Sequence, residues 1–131
     1  MKVVIDSNVW ISALVFGGKP RFIFEQAVSE GWTIVASEEI FTEVRRILIV
    51  KFPDFVEDFE SFQIVLQPYI NKVRLGHIKV VVSRDEDDNR VIETALTGDA
   101  SHIITGDKDL LVLSQYKKIV IVNPTCFLGI V

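Results

Sequence analysis

Two aspartates follow short apolar runs at opposite ends of the sequence. Val3-Val4-Ile5 leads into Asp6, and Ile103-Ile104-Thr105-Gly106 leads into Asp107. In an open parallel α/β sheet, functional groups gather in the crevice outside the carboxyl ends of the strands, so these two side chains can meet despite their separation in sequence. Carboxylates that are crowded together repel one another, and the pair therefore predicts a bound cation.

Two further acids are predicted to face the same crevice. Glu43 lies on the flank of a helical apolar stripe. Asp88 opens a later helix, three residues before the inward-facing Val91, which places it in the first turn beside the inward stripe. Asp85 and Asp87 belong to the same acidic turn, and either of them could take the place of Asp88 in the site.

Each of these four acids also fits a purely structural role. A helix cap, a surface ion pair or an Asx-turn would account for any one of them taken singly. The arrangement of an acid after a strand occurs twice, however, and each time a second polar group follows closely, Asn8 after Asp6 and Asp109 after Asp107. This repetition favours a shared site.

Three or four carboxylates without histidine suit Mg²⁺ or Mn²⁺ better than zinc, because these hard cations take oxygen ligands. His77 and His102 are not placed to join the cluster. One or two such ions predict phosphodiester hydrolysis, since a divalent ion lowers the pKa of bound water, orients the phosphate and stabilises the leaving oxygen. The glycine-containing turns, Gly17-Gly18 and Thr105-Gly106-Asp107, match neither nucleotide-binding fingerprint.

Short strands alternate with helices along the chain, which predicts an α/β fold with a mostly parallel central sheet in a three-layer α/β/α sandwich. The predicted strands cover residues 2–5, 33–36, 78–82, 102–105 and 118–122. The predicted helices cover residues 8–15, 20–31, 38–50, 54–68, 88–98 and 108–113, and Pro124 is expected to close the regular part. Two apolar stripes are expected to face the core: Phe22, Ile23, Ala27 and Val28, then Phe55, Phe59, Phe62 and Leu66.

The composition predicts a single domain over residues 1–131, with 49% hydrophobic residues for its core. Charged residues, glycine or proline interrupt every apolar run well before about 18 residues, so no membrane association is expected. Because no apolar h-region follows Met1-Lys2, a cytoplasmic location is expected. Cys126 is the only cysteine, which excludes an internal disulfide, and we expect it to be buried.

A net charge of −4 and a pI near 5.1 argue against a protein that grips nucleic acid by bulk positive charge. Any contact with nucleic acid must therefore be local. The candidate basic patches are Arg45, Arg46 and Lys51; then Lys72, Arg74, His77 and Lys79; then Lys117 and Lys118.

Together these motifs resemble the PIN-domain ribonucleases, and more narrowly the VapC-like toxins of toxin–antitoxin pairs. The resemblance spans nearly the whole chain, and the order and spacing of its four segments make it specific. Those segments are Val4-Ile5-Asp6-Ser7-Asn8-Val9, then residues 37–44, 85–95 and 103–110.

The resemblance implies that Asp6, Glu43, Asp88 and Asp107 are the catalytic residues and form the metal site. It also implies that Asn8 and Thr105 support this site, and that Asp109 is a commonly acidic neighbour. The implied activity is a Mg²⁺- or Mn²⁺-dependent endonuclease acting on RNA. Homodimers are frequent in such a family, and the implied partner is an antitoxin that often inserts a basic residue among the carboxylates.

Other functions remain compatible with the sequence. The chain could be an RNA-maturation or quality-control nuclease without a toxin role. It could also be a non-catalytic binding or regulatory module, because a fold alone never establishes an activity. A small-molecule phosphohydrolase is the least favoured alternative, since no phosphate-gripping lysine or glycine-rich loop accompanies the acids.

Overall fold

The computed structural model describes residues Met1 to Val131 and contains a six-stranded, mostly parallel sheet flanked by helices, which confirms the predicted α/β fold. The strands are β1 Lys2–Ile5, β2 Thr33–Ser37, β3 Ile70–Val73, β4 His102–Ile104, β5 Gln115–Tyr116 and β6 Ile119–Val122. The helices are α1 Ser7–Val15, α2 Gly18–Glu30, α3 Glu38–Lys51, α4 Val56–Leu66, α5 Glu86–Thr97, α6 Lys108–Leu113 and α7 Pro124–Ile130. None of these helices is long and apolar enough to cross a membrane.

The order of strands across the sheet, β3-β2-β1-β4-β6-β5, determines where a site can form. All neighbours are parallel except β5 and β6. The chain runs outward from β1 to β3 and then returns to β4 on the other side of β1, so a crevice opens between the carboxyl ends of β1 and β4. Ile5 pairs with Ile104, and therefore Asp6 and Thr105 leave the sheet side by side.

Trp10 is the centre of the core beneath this crevice. It lies on α1, is fully buried, and its ring contacts four phenylalanines, Phe24, Phe41, Phe59 and Phe62. These rings belong to α2, α3 and α4, so the aromatic contacts hold α1 against three other helices. The N-terminus of α1 is thereby fixed next to the crevice.

The two predicted inward stripes have different outcomes. On and just before α4, Phe59 and Leu66 are buried, and Phe55 and Phe62 pack half-buried against the core. On α2, Ile23 and Ala27 are buried as expected, but Phe22 and Val28 are 46% and 38% exposed. The prediction missed Phe24, which faces Trp10. The stripe that packs on α1 is narrower than the sequence pattern suggested.

The predicted strand at residues 78–82 is wrong. The place beside β2 is taken by β3, whose Ile70 pairs with Ile34. Residues 78–82 run as irregular chain, with Val81 73% exposed and the Val82 N–H donating to Asn89 Oδ1 at 3.1 Å. The earlier segment, which follows α4 after the short turn Gln67–Tyr69, takes the position beside β2, and the more apolar run stays outside the sheet.

The regular structure also continues past Pro124, where we expected it to end. Asn123 caps α7 by accepting a hydrogen bond from the Cys126 N–H at 2.7 Å, and Pro124 occupies the first turn, which tolerates proline. Phe127 is buried against Trp32. Cys126 lies on the other side of this helix and is exposed, contrary to the prediction.

Gly98 allows α5 to lie close to the sheet. A Cβ atom built at this position would overlap Val35 Cγ1 on β2. The absence of a side chain at the end of α5 therefore sets how near this helix comes to β2. Gly98 follows the last turn of α5, and the first turn of the same helix carries acidic residues to the crevice.

Candidate metal centre

Asp6 leaves β1 directly into the crevice and is only 4% exposed. Its Oδ1 accepts a hydrogen bond from the Ser7 N–H at 2.7 Å and caps α1. Its Oδ2 accepts from the Thr105 hydroxyl at 2.7 Å and from Asn8 Nδ2 at 3.1 Å. Asp6 can therefore cap α1 and face the crevice at the same time, because Oδ1 accepts the capping hydrogen bond and Oδ2 lies on the side of Thr105 and Asn8.

Thr105 links the two strand ends. This fully buried residue donates to Asp6 and accepts from the Asp107 N–H at 3.0 Å. Asn8 adds a second link, since its Oδ1 accepts from the Gly106 N–H at 2.8 Å. A Cβ at Gly106 would lie 3.2 Å from Asn8 Oδ1, so glycine preserves this contact. Asn8 and Thr105 therefore tie the Asp6 turn to the Asp107 turn.

Asp107 is half-buried and caps α6, accepting from the Asp109 N–H at 2.9 Å. Asp109 is exposed, and the contact that it makes with Asp107 comes from its backbone. The acidic side chain of Asp109 lies on the rim of the crevice.

Three carboxylates converge where α5 begins. Asp85, Asp88 and Asp107 each offer an oxygen atom, and these atoms lie within 4.8 Å of one another. Asp88 is buried and its Oδ2 accepts from the Ser83 hydroxyl at 3.0 Å, whereas Asp85 is exposed and caps α5. Asp87 pairs instead with Arg46 at 3.5 Å.

Asp85 is the residue that sequence reasoning underestimated. It was an alternative to Asp88, but the structure places both beside Asp107. The reason is that a capping residue directs its carboxylate back over the first turn, where the residue three positions later also lies. The signal in the sequence was its position immediately before the helix.

Glu43 lies on α3 near Asp6 but is not one of the three converging acids. Burial raises the pKa of its carboxyl to about 7, and the negative charges of Asp87 and Asp6 add to this rise. The Ser7 hydroxyl and Arg46 oppose it. Glu43 therefore borders the cluster from the α3 side.

Burial also opposes ionisation of the acids inside the crevice. It raises the pKa of Asp88 to about 7, with a hydrogen bond to Asp107 as the next cause. Burial raises the pKa of Asp6 as well, against the hydrogen bonds from Thr105, Ser7 and Asn8. Ionising all the carboxylates of the crevice at once is therefore unfavourable unless a cation is bound.

Comparison with known proteins adds three similarities. A sequence profile described as PIN domain matches residues 2–109. The uncharacterized protein MJ1680 of Methanocaldococcus jannaschii is 33% identical over 135 positions, covering 94% of this chain and 81% of that protein. A chain in the crystal structure of VapBC2 from Rickettsia felis, bound to a DNA fragment from their promoter, superimposes with a TM-score of 0.65. That match covers 94% of this chain and 98% of the other at 11% identity, so it is a likeness of fold.

Proposed function

The chain belongs to the PIN domain family, and from this premise we propose that it is a metal-dependent endoribonuclease that hydrolyses phosphodiester bonds in RNA. PIN domains are in general nucleases. The observation that carries the proposal is the convergence of Asp85, Asp88 and Asp107 at the crevice into which Asp6 also projects.

The donor set fits Mg²⁺ or Mn²⁺. Every group that converges is a carboxylate, and hard divalent cations take oxygen ligands. We assign Asp6, Asp88 and Asp107 as the residues that would hold one or two ions, with Asp85 and Glu43 at the edge of the same site. A divalent ion would supply the positive charge that polarises the phosphate and makes water a better nucleophile.

The chain's own groups have distinct proposed roles. Thr105 and Asn8 hold Asp6 in one orientation, and the Ser83 hydroxyl does the same for Asp88. The pKa of about 7 means that Glu43 can accept a proton near neutral pH, which suits a group that takes the proton of the attacking water. Asp109 supports Asp107 through its backbone N–H.

We also propose that the chain acts as the toxin of a toxin–antitoxin pair and forms a homodimer. The VapBC2 likeness in fold supports an antitoxin partner. A cluster of buried carboxylates is a natural target for a basic side chain of such a partner. Growth arrest on expression, relieved by co-expression of a small neighbouring open reading frame, would separate a toxin from an RNA-maturation enzyme.

The nuclease proposal is tested with Asp107→Asn. We expect wild-type protein to cleave RNA with Mg²⁺ or Mn²⁺ and to lose this activity in EDTA. Asp107→Asn should reduce the rate by about a hundredfold or more, because the site loses a carboxylate whose supporting groups alone are worth about ten- to a hundredfold.

Asp58→Asn is the matched control, since Asp58 is an exposed acid on α4. Its activity should remain within about twofold of wild type, as is usual for surface substitutions. Cleavage that persists in EDTA, or that is undiminished in Asp107→Asn, would contradict the proposal. Calorimetry with Mn²⁺ provides a second measurement, because binding should weaken in Asp107→Asn and not in Asp58→Asn.

A further inference from the structure

A cleft of about 740 Å³ lies beside the acid cluster, between residues 76–84, here the cleft segment, and one face of α5. Glu86, Asn89, Arg90 and Glu93 form that face, since they recur every three or four residues along the helix. The volume falls in the range of about 300–1,000 Å³ that is typical of ligand sites. None of the proposed metal ligands lines this cleft.

Two side chains of α5 hold the cleft segment in place. The buried carboxylate of Glu93 accepts a hydrogen bond from the Gly76 N–H at 2.7 Å. Asn89 accepts from the N–H groups of Val82 and Ser83 at 3.1 and 2.9 Å, and donates to the Ser83 carbonyl at 3.0 Å. The segment is thus fixed near both ends, which keeps the cleft open without a ligand.

The cleft is continuous with the surroundings of the acid cluster. Val82, Ser83 and Arg84 line the cleft and also a second depression of about 440 Å³, which contains Asp85 and Asp109. Ser83 additionally donates its hydroxyl proton to Asp88. A polymer that binds in the cleft is therefore separated from the carboxylates of the acid cluster only by residues 82–84.

The charges favour a phosphate on this side of the site. Lys79 and Arg84 are exposed on the cleft and make no ion pair, whereas Arg90 pairs with Glu93 at 3.6 Å. On the α3 side of the acid cluster, in contrast, the basic residues Arg45, Arg46 and Lys72 are neutralised in ion pairs. The groove on that side carries four carboxylates, Glu38, Glu39, Glu43 and Asp87, against two arginines, Arg46 and Arg90, which are both already in ion pairs. Such a groove repels a polyanion, and free lysine and arginine attract one.

The cleft also offers apolar surface beside its basic groups. Ile78, Val81 and Val82 line it and are 38%, 73% and 43% exposed. A surface that combines free cations with apolar side chains is complementary to a nucleotide, because the cations attract the phosphate and the aliphatic side chains can cover one face of the base. A simple anion would leave the apolar side chains uncovered.

From these observations we infer that the cleft binds a nucleotide of single-stranded RNA next to the bond that is cut. Lys79 and Arg84 contact its phosphate, and the base lies against the apolar residues of the cleft segment. This inference rests on the proposed ribonuclease function. It also gives the path of the substrate strand over the surface, which leads from the carboxylates along α5 and away from the acidic groove on α3.

The test compares Lys79→Gln/Arg84→Gln with the control Lys2→Gln/Lys19→Gln, which removes two exposed lysines that line neither cavity and belong to none of the candidate basic patches. Cleavage of a labelled single-stranded RNA is measured with Mn²⁺ over a range of NaCl concentrations, and binding of the same RNA is measured in EDTA. We expect KM and Kd to rise about tenfold in the cleft variant, kcat to change little, and the salt slope to fall by about 0.7, because one phosphate loses its contacts with the protein.

Equal KM and equal salt slope in the cleft variant and the control would overturn the inference while leaving the ribonuclease function intact. This is also the result expected if the cleft served a protein partner. RNA that binds through Lys79 and Arg84 but is never cleaved would support the cleft and contradict the ribonuclease. A wild-type protein that neither binds nor cleaves RNA would contradict both.

Discussion

The two halves of the acidic crevice are built in different ways. At the strand ends, Asp6, Asn8 and Thr105 are joined by direct hydrogen bonds, and the positions of Asp6 and Thr105 follow from the parallel register of β1 and β4. On the helix side, Asp88 has one side-chain donor, the Ser83 hydroxyl, and it shares a pKa near 7 with Glu43. The sheet therefore determines the position of the first half, whereas fewer hydrogen bonds hold the second half, so its geometry depends more on bound cations.

The largest expected effect concerns the helix side. Asp88→Asn should reduce Mn²⁺-dependent RNA cleavage by about a hundredfold or more, because it removes a buried carboxylate from the cluster. Asp87→Asn, one residue away, should stay within about twofold, since Asp87 pairs with Arg46 on the surface. Rates at saturating RNA and Mn²⁺ affinity by calorimetry measure both variants.

Asp85→Asn sharpens the same test. Asparagine caps a helix about as well as aspartate, so this variant keeps the start of α5 and changes only the charge. We expect weaker Mn²⁺ binding with an unchanged melting temperature. If Asp87→Asn instead lost as much activity as Asp88→Asn, the assignment of the acids on α5 would have to shift by one residue.

The next effect concerns the strand-end half. Thr105→Val removes the hydroxyl that joins Asp6 to the Asp107 turn, so it leaves buried groups unpaired. We expect a loss of about 1–3 kcal/mol in the free energy of unfolding in urea. Cleavage should fall about ten- to a hundredfold, as when a group that orients a metal ligand is lost.

Thr97→Val is its matched control. The Thr97 hydroxyl is buried and has no hydrogen-bond partner, so the same chemical change there removes an unsatisfied group. Stability should be equal to that of wild type or higher. Similar destabilisation by both substitutions would show that Thr105 is important for packing and not for joining the two turns.

The smallest effect is a pH dependence without added metal. The pKa of Glu43 rises from 4.5 to about 7 on folding, and that of Asp88 rises from 3.8 to about 7. The folded state therefore binds these protons more tightly than the unfolded state, and stability falls as pH rises from about 4 to about 7. Glu43→Gln should flatten this fall by a few degrees in Tm, whereas the exposed Glu57→Gln should not.

Divalent metal reverses this trend, because it needs the ionised carboxylates. Mn²⁺ should raise the melting temperature more at pH 8 than at pH 5. An identical pH profile for Glu43→Gln and wild type would mean that Glu43 does not take up its proton on folding. Asp88 and Asp6, whose pKa values burial also raises, would then account for the dependence.

The architecture and the strand-end acids could be predicted because they depend on local patterns. Apolar runs that end in Asp6 or in Thr105 predict parallel strands whose carboxyl ends meet, and the register of β1 and β4 brings them together. Asn123 and Pro124 also form a local signal, that of a capped helix start, but we interpreted the proline as a stop.

The wrong or incomplete predictions concern features that depend on contacts between distant parts of the chain. Residues 78–82 are more strand-like in composition than Ile70–Val73, yet β3, which comes soon after α4, is the segment that pairs with β2. The place of Asp85 beside Asp107 likewise depends on how α5 packs against distant parts of the chain. Neither the competition for a sheet edge nor the height of a helix above a sheet is visible in local sequence.

The ring of phenylalanines around Trp10 has a consequence for how the molecule opens. This cluster joins α1 to α2, α3 and α4, and Asp6 caps the N-terminus of α1. Local fluctuations release segments that have few buried contacts, but a helix held by such a cluster opens only with the whole cooperative unit. Around Asp6, loss of the site and loss of the fold are therefore one event.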